Sequence, residues 1–149
     1  MKSKENIVFL GMMGSGKTTI GKIVSQKLNL NFFDTDDEIE NKLDMKISKI
    51  FSEKGESYFR KFEEELTLEL LKKKNVIIAL GGGAFLNNKI RNEILDNHLS
   101  IWLKWDDKVL LDRIKDSHKR PIAFNSTKND LKGPSLRFVS ALASFSINA

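Results

Sequence analysis

The chain contains no cysteine, which removes a disulfide framework and any thiolate-held metal from consideration. Its two histidines, His98 and His118, stand far apart and form no ligand cluster, so neither is given a metal role. No apolar run approaches the ~20 residues that a membrane-crossing helix needs. The opening residues, "MKSKEN", run straight into a strand-like segment, without the apolar stretch and cleavage site of a secretory leader. Together these absences favour a cytoplasmic protein with no membrane partner. A block of like charge is missing as well. The net charge is +5 and the pI about 9.4, but lysines alternate with acids in "KLDMKI" and "KIFSEKGE". Nucleic acid is therefore a weak expectation, and basic groups equally suit a protein that handles phosphates or acidic metabolites. With 40% hydrophobic residues and a mean hydropathy of −0.32, the 149 residues suit one soluble globular domain.

Strand-like and helix-like patterns alternate along the chain. Residues 6–10 are apolar and β-prone. From Lys17 to Leu30 the apolar Ile20, Ile23, Val24 and Leu28 recur at helical spacing. "NFFDTD" reads as a second strand ending in acids, after which Thr35 and Glu38 fit a capping box opening a helix to about Leu43. "ISKIFSEKG" reads as a short helix closed by Gly55. Residues 56–73 carry the longest helical pattern, with Phe59, Phe62, Leu66 and Leu70 on one stripe. "NVIIAL" is a third strand leading into "GGG", 88–97 a helix, "SIWLKW" a fourth strand and 107–116 a further helix. Residues from about 117 to 130 are polar and irregular, a loop or flap. Such alternation implies an α/β fold with a parallel sheet covered by helices. Ligands of such sheets bind beyond the carboxyl ends of the strands. "GMMGSGKT", "DTD" and "GGG" each follow a strand, so all three are expected on one rim.

Each motif has its own chemistry. "GMMGSGKT" matches G-x-x-x-x-G-K-[ST] between a strand and a helix, the context of a phosphate-binding loop. Gly11, Gly14 and Gly16 would let backbone N–H groups turn toward phosphate oxygens. The helix that follows points its positive end at the same anion. Lys17 would reach the β- and γ-phosphates, and Thr18 would offer a hydroxyl to Mg²⁺. Asp34 and Asp36 could be mere first-turn helix acids. Beside a phosphate loop, one acid is wanted at the metal and one at the acceptor hydroxyl; Asp34 is preferred for the first and Asp36 for the second. Gly81, Gly82 and Gly83 exceed what a turn needs and imply an unusually close backbone approach, with a small bound molecule as the expected reason. By spacing alone Arg60 is an ordinary surface pair with Glu63 or Glu64. Arg120, in "KRP", is either a solvated loop charge or a flap cation that neutralises a transferring phosphoryl group. Phe32, Phe33, Trp102 and Trp105 are expected to pack the core or its edges.

In this order and spacing, "GMMGSGKT", "DTD", "YFRKFEEE", "LGGG" and "KRP" resemble the shikimate kinase family over residues 5 to about 131. Gluconate kinases and adenylate-type kinases share the phosphate loop but not "DTD" together with "FRKFE" and "GGG". The resemblance implies a nucleoside-monophosphate-kinase-like P-loop fold, three layers around a five-stranded parallel sheet. It implies ATP- and Mg²⁺-dependent phosphorylation of the 3-hydroxyl of shikimate by a monomer, in aromatic amino-acid synthesis. It also implies that Gly14, Ser15, Gly16, Lys17, Thr18 and Thr19 bind the ATP phosphates, and that Thr18 and Asp34 serve the metal. Asp36 would contact the acceptor hydroxyls and act as base. Arg60 would pair with the shikimate carboxylate, supported by Glu63, with Gly81, Gly82 and Gly83 lining the acceptor site. Arg120 would close over the phosphates, and Arg113 would lie near the adenine. The resemblance thus reverses the reading of Arg60, because a guanidinium suits a carboxylate.

The end of the chain departs from the family. From Gly133 it runs "GPSLRFVSALASFSINA", with Arg137 its one charged residue. The family carries a further helix, a fifth strand, an adenine-contacting loop and a last helix there. A truncated end and a divergent end both fit this tail, 133–149, and Arg137 is given no role. Two other functions stay open: a kinase for another small polyol such as gluconate, and an ATP-binding protein without catalysis.

Overall fold

The computed structural model describes residues 5–104. In chain order these form β1 (Ile7–Leu10), α1 (Lys17–Leu28), β2 (Asn31–Asp34), α2 (Thr35–Leu43), α3 (Ile47–Leu71), β3 (Val76–Ala79), a 3₁₀ turn (Ala84–Leu86), α4 (Asn88–Asn97) and β4 (Leu99–Trp102). The strands form one sheet in the order β2-β3-β1-β4, and every pairing is parallel. The α/β architecture read from the alternation is therefore present. Four strands lie among the described residues. The expected helix at 107–116, the flap and the tail fall outside them.

β1 and β3 are apolar without interruption because both of their faces are covered. Val8, Leu10, Ile78 and Leu80 enter one cluster with Ile39, Ile50, Phe59, Leu66, Leu70, Phe85, Ile90 and Ile94, from α2, α3, α4 and the 3₁₀ turn. Strand alternation turns Phe9, Ile77 and Ala79 to the opposite face, where α1 crosses β3 and β2. The side of α1 that meets the sheet is small: Gly21 and Ser25 are its buried residues. A Cβ on Gly21 would run into the ring of Phe32. The apolar spacing noted in this helix does not coincide with that buried side, for Ile23 and Leu28 stay about half exposed.

Helix ends follow local chemistry. α1 stops two residues before the expected Leu30 because Asn29 takes left-handed φ/ψ of 52° and 46°. The Leu30 N–H then turns back to the Ser25 carbonyl at 3.0 Å, a Schellman closure. α2 begins at Thr35, one residue before the capping-box reading requires, because its cap is Asp34, whose side chain accepts from the Asp36 N–H. Gly55 breaks α3 into the two expected helices, with φ 82° and ψ 168° inside it. β4 begins at Leu99 and ends at Trp102, earlier than the "SIWLKW" reading, and the Leu103 N–H continues toward β1, donating to the Leu10 carbonyl at 2.8 Å. Asn6, buried at the foot of β1, donates to the Leu71 and Lys73 carbonyls at 3.1 and 2.7 Å. Its Oδ1 accepts from the Val76 N–H at 3.2 Å, so one amide ties β1 to the α3–β3 connection.

Candidate active site

The carboxyl ends of β1, β2 and β3 bring the three motifs together on one rim, as the strand rule requires. After β1 the loop turns through positive φ at Gly11 (147°), Gly14 (78°) and Gly16 (87°). Gly11 also needs its lack of a side chain, because a Cβ would lie 2.7 Å from Ser15 Oγ and 2.8 Å from the Leu103 carbonyl. Ser15 is fully buried within the loop, whereas Thr19 is exposed on the first turn of α1. Lys17 folds back so that Nζ donates to the Gly11 and Met12 carbonyls at 2.8 and 3.0 Å. No acid stands in the first turn of α1. Its N-terminal partial charge therefore favours an anion at this end.

The loop joins the acidic motif through one short bond. Thr18 Oγ1 donates to Asp34 Oδ2 at 2.5 Å, while Asp34 Oδ1 accepts from the Asp36 N–H at 3.0 Å. The Thr18 hydroxyl and Asp34 carboxylate are hard oxygen donors, the type that suits Mg²⁺. Among the described residues no group of three or more His, Cys, Asp or Glu could hold a metal. A pair of oxygens fits an ion that keeps its waters and shares phosphate oxygens.

The third motif shows what its glycines leave room for. A Cβ on Gly81 would lie 2.9 Å from Asp36 Oδ1, 3.0 Å from Glu63 Oε1 and 3.4 Å from Thr35 Oγ1. On Gly82 it would lie 3.4 Å from the Met13 nitrogen, in the phosphate loop. On Gly83 it would lie 2.8 and 3.2 Å from the two terminal nitrogens of Arg60. The close approach inferred from "GGG" is therefore, in this structure, an approach to the protein's own site groups. These contacts gather Asp36, Arg60, Glu63 and the phosphate loop around three residues.

Arg60 Nη1 binds Glu63 Oε2 at 2.7 Å, and its Nε lies 3.4 Å from Glu56 Oε1. The spacing had offered Glu63 or Glu64 as partner. Glu64 instead accepts from Asn87 and Lys89, at 2.6 and 2.7 Å. The Arg60–Glu63 pair is not a surface pair at both ends, since the Glu63 side chain is 4% exposed and that of Arg60 41%. Burial pushes the Glu63 carboxyl above its ordinary range, and the Arg60 charge and hydrogen bond pull against it. Sequence reasoning missed how deeply Glu63 is buried. The signal was its place on the apolar stripe, four residues after Phe59 and three before Leu66. It also missed Thr35, which is fully buried and whose hydroxyl accepts from the Gly81 N–H at 2.7 Å. Arg113 and Arg120 lie outside the described residues.

Residues 13–140 match the family model described as shikimate kinase, running through the flap and into the tail. The shikimate kinase of Bartonella quintana (strain Toulouse) is 44% identical over 119 residues, covering 80% of this chain and 57% of that protein. The chain spans little more than half the length of the first curated relatives it matches, 57% and 55%. Among solved structures, shikimate kinase from Aquifex aeolicus superposes with a TM-score of 0.82 at 33% identity, covering 93% of this chain and 82% of that one. Shikimate kinase from Acinetobacter baumannii, solved in complex with shikimate, gives 0.78 at 30% identity, covering 95% and 76%. A phosphate loop, a Thr–Asp oxygen pair and an Arg–Glu pair whose carboxylate is buried meet around three glycines, and the family model that matches residues 13–140 places this chain in the shikimate kinase family.

Proposed function

We propose that this chain transfers the γ-phosphoryl group of ATP to the 3-hydroxyl of shikimate, as a cytoplasmic monomer in aromatic amino-acid synthesis. The observation that carries the reading is the Arg60–Glu63 pair held against Gly83, on the same rim as Asp36 and the phosphate loop. Shikimate is an anionic ring bearing hydroxyls. Arg60 would take its carboxylate in a bidentate pair, with Glu63 fixing the guanidinium. Asp36 would orient the attacking hydroxyl and receive its proton. The acceptor oxygen forms a bond to the γ-phosphorus as the bond from that phosphorus to the bridging oxygen breaks, and ADP departs. Lys17 would exchange its two loop carbonyls for the phosphates, and Gly14, Ser15, Gly16 and Thr19 would line them. Thr18 and Asp34 would hold Mg²⁺. The chemistry this ion supplies when bound is neutralisation of charge between the β- and γ-phosphates. Arg120 would add charge from the flap, and Arg113 would lie beside the adenine.

The test is ADP release by the 149-residue chain with Mg²⁺ and ATP, with and without shikimate. Release that depends on shikimate is the expected result. Release that follows gluconate instead would move the reading to another polyol kinase, and ATP binding without release in either case would leave a nucleotide-binding protein.

A further inference from the structure

We propose that Thr35 is a positioning residue of the acceptor site, acting through Gly81; this rests on the kinase reading above. The β2–β3 ladder ends with Asp34 opposite Ala79. On the other side of β3, the Leu80 N–H still finds the Phe9 carbonyl of β1 at 3.0 Å. One residue later, β2 has already turned into α2. Its backbone carbonyls now point along a helix axis and offer nothing to the next N–H of the β3 side. The Thr35 side chain supplies what the strand no longer can. Its hydroxyl accepts from the Gly81 N–H at 2.7 Å, and the residue is fully buried. One side-chain bond thus extends the ladder a step beyond the strand.

That step falls where the site groups meet. Gly81 is the residue at which an added Cβ would run into Asp36, Glu63 and Thr35. Its carbonyl accepts from the Ala84 N–H at 3.1 Å, closing the turn that sets Gly82 against the phosphate loop and Gly83 against Arg60. The Thr35 hydroxyl therefore fixes the gap between the acids at the end of β2 and the whole glycine segment. Capping of α2 does not need it, because Asp34 does that. Valine has nearly the same shape as threonine but no acceptor, and it would leave a buried N–H without its partner, a costly state.

The experiment compares Thr35→Val and Thr35→Ser in the full chain, varying shikimate at saturating Mg·ATP and then the reverse. Thr35→Val is expected to raise the shikimate KM about tenfold with the ATP KM within about twofold. Thr35→Ser, which keeps the hydroxyl, is expected to return the shikimate KM to within about threefold of wild type. Equal rises in both KM values, or a serine variant as impaired as the valine one, would overturn the proposal. Hydrogen exchange of the wild-type Gly81 amide gives a readout that needs no variant to fold. It is expected to be slow, and exchange at the rate of an exposed loop amide would also overturn the proposal. A wild-type chain without shikimate-dependent turnover overturns the kinase reading and the acceptor role with it, and a protected Gly81 amide marks that failure apart from failure of the hydrogen bond.

Discussion

Replacing Gly83 by alanine should separate acceptor binding from stability. The Gly83 backbone, at φ −101° and ψ −14°, is open to any L-residue. The added methyl therefore brings no conformational strain, and reduced freedom of the unfolded chain favours the variant by about 0.4–1 kcal/mol. The methyl would stand 2.8 Å from Arg60 Nη1 and 3.2 Å from Nη2. Non-bonded heavy atoms rest comfortably only near ~3.5 Å, so the guanidinium must retreat by roughly 0.5 Å or more. Arg60 is long and its side chain 41% exposed, which lets it swing without disturbing the core. On the proposed reading, what it loses is its aim at the shikimate carboxylate. Hydrogen bonds to charged groups contribute about 1.5–3 kcal/mol, which corresponds to a rise of about ten- to a hundredfold in the shikimate KM. Initial rates against shikimate and against Mg·ATP, with a melting curve for each protein, would measure both parts. The reasoning is refuted by an unchanged shikimate KM, or by a lower Tm with equal rises in both KM values.

Four other outcomes are expected. Glu63→Gln tests burial through pH: because the folded state raises the Glu63 carboxyl above its ordinary 4.5, the native protein binds that proton more tightly than the unfolded chain. Its stabilising contribution is fully present below 4.5 and is lost as pH rises through the raised folded value. The Tm of wild type relative to Glu63→Gln should therefore fall across that window, and a flat or rising difference would contradict burial as the dominant cause. Asp34→Asn keeps an oxygen for the Asp36 N–H, and asparagine caps about as well as aspartate, so Tm should hold while half-saturation by Mg²⁺ rises about tenfold; equal Mg²⁺ dependence would remove Asp34 from the metal. Gly21→Ala forces a methyl into the Phe32 ring and should cost about 1–3 kcal/mol in denaturant titrations, whereas an unshifted midpoint would mean that α1 lifts freely from the sheet. Asp36→Ala should lower turnover by about a hundredfold or more with ATP binding nearly intact, and normal turnover would end its assignment as base.

How much of this could be read from the residues depended on the kind of interaction. β1, β2 and β3 were readable because short apolar runs bounded by glycines and acids have few other uses. The rim followed from the alternation of strands and helices alone. Gly55 was readable as a break because only its conformational freedom was needed to explain it. The cap of α2 reads as Thr35 from sequence and is Asp34 in the fold, since both types cap helices and only the fold shows that Thr35 faces Gly81. Phe62 was placed on the buried stripe and Glu63 was not, because a carboxylate reads as solvated until its arginine and the surrounding core are seen. The three glycines were readable as a close approach, but not as one toward Asp36, Glu63 and Arg60, which come from two other elements.

The strand order has a consequence for how the site comes into being. β1 and β2 follow each other in sequence but are not neighbours, because β3 lies between them. Phe9 meets Ala79, and Phe33 meets Ile78, so both pairings wait on a strand that a ribosome completes only near residue 80. Contacts so distant in sequence form slowly. A nascent chain of 75 residues already carries the lysine, the threonine and both aspartates, yet has no strand to set one motif beside the other. Insertion of β3 is then at once the closing of the sheet and the assembly of the candidate site, so a fault that delays it would expose two unpaired strand edges and an unformed site together.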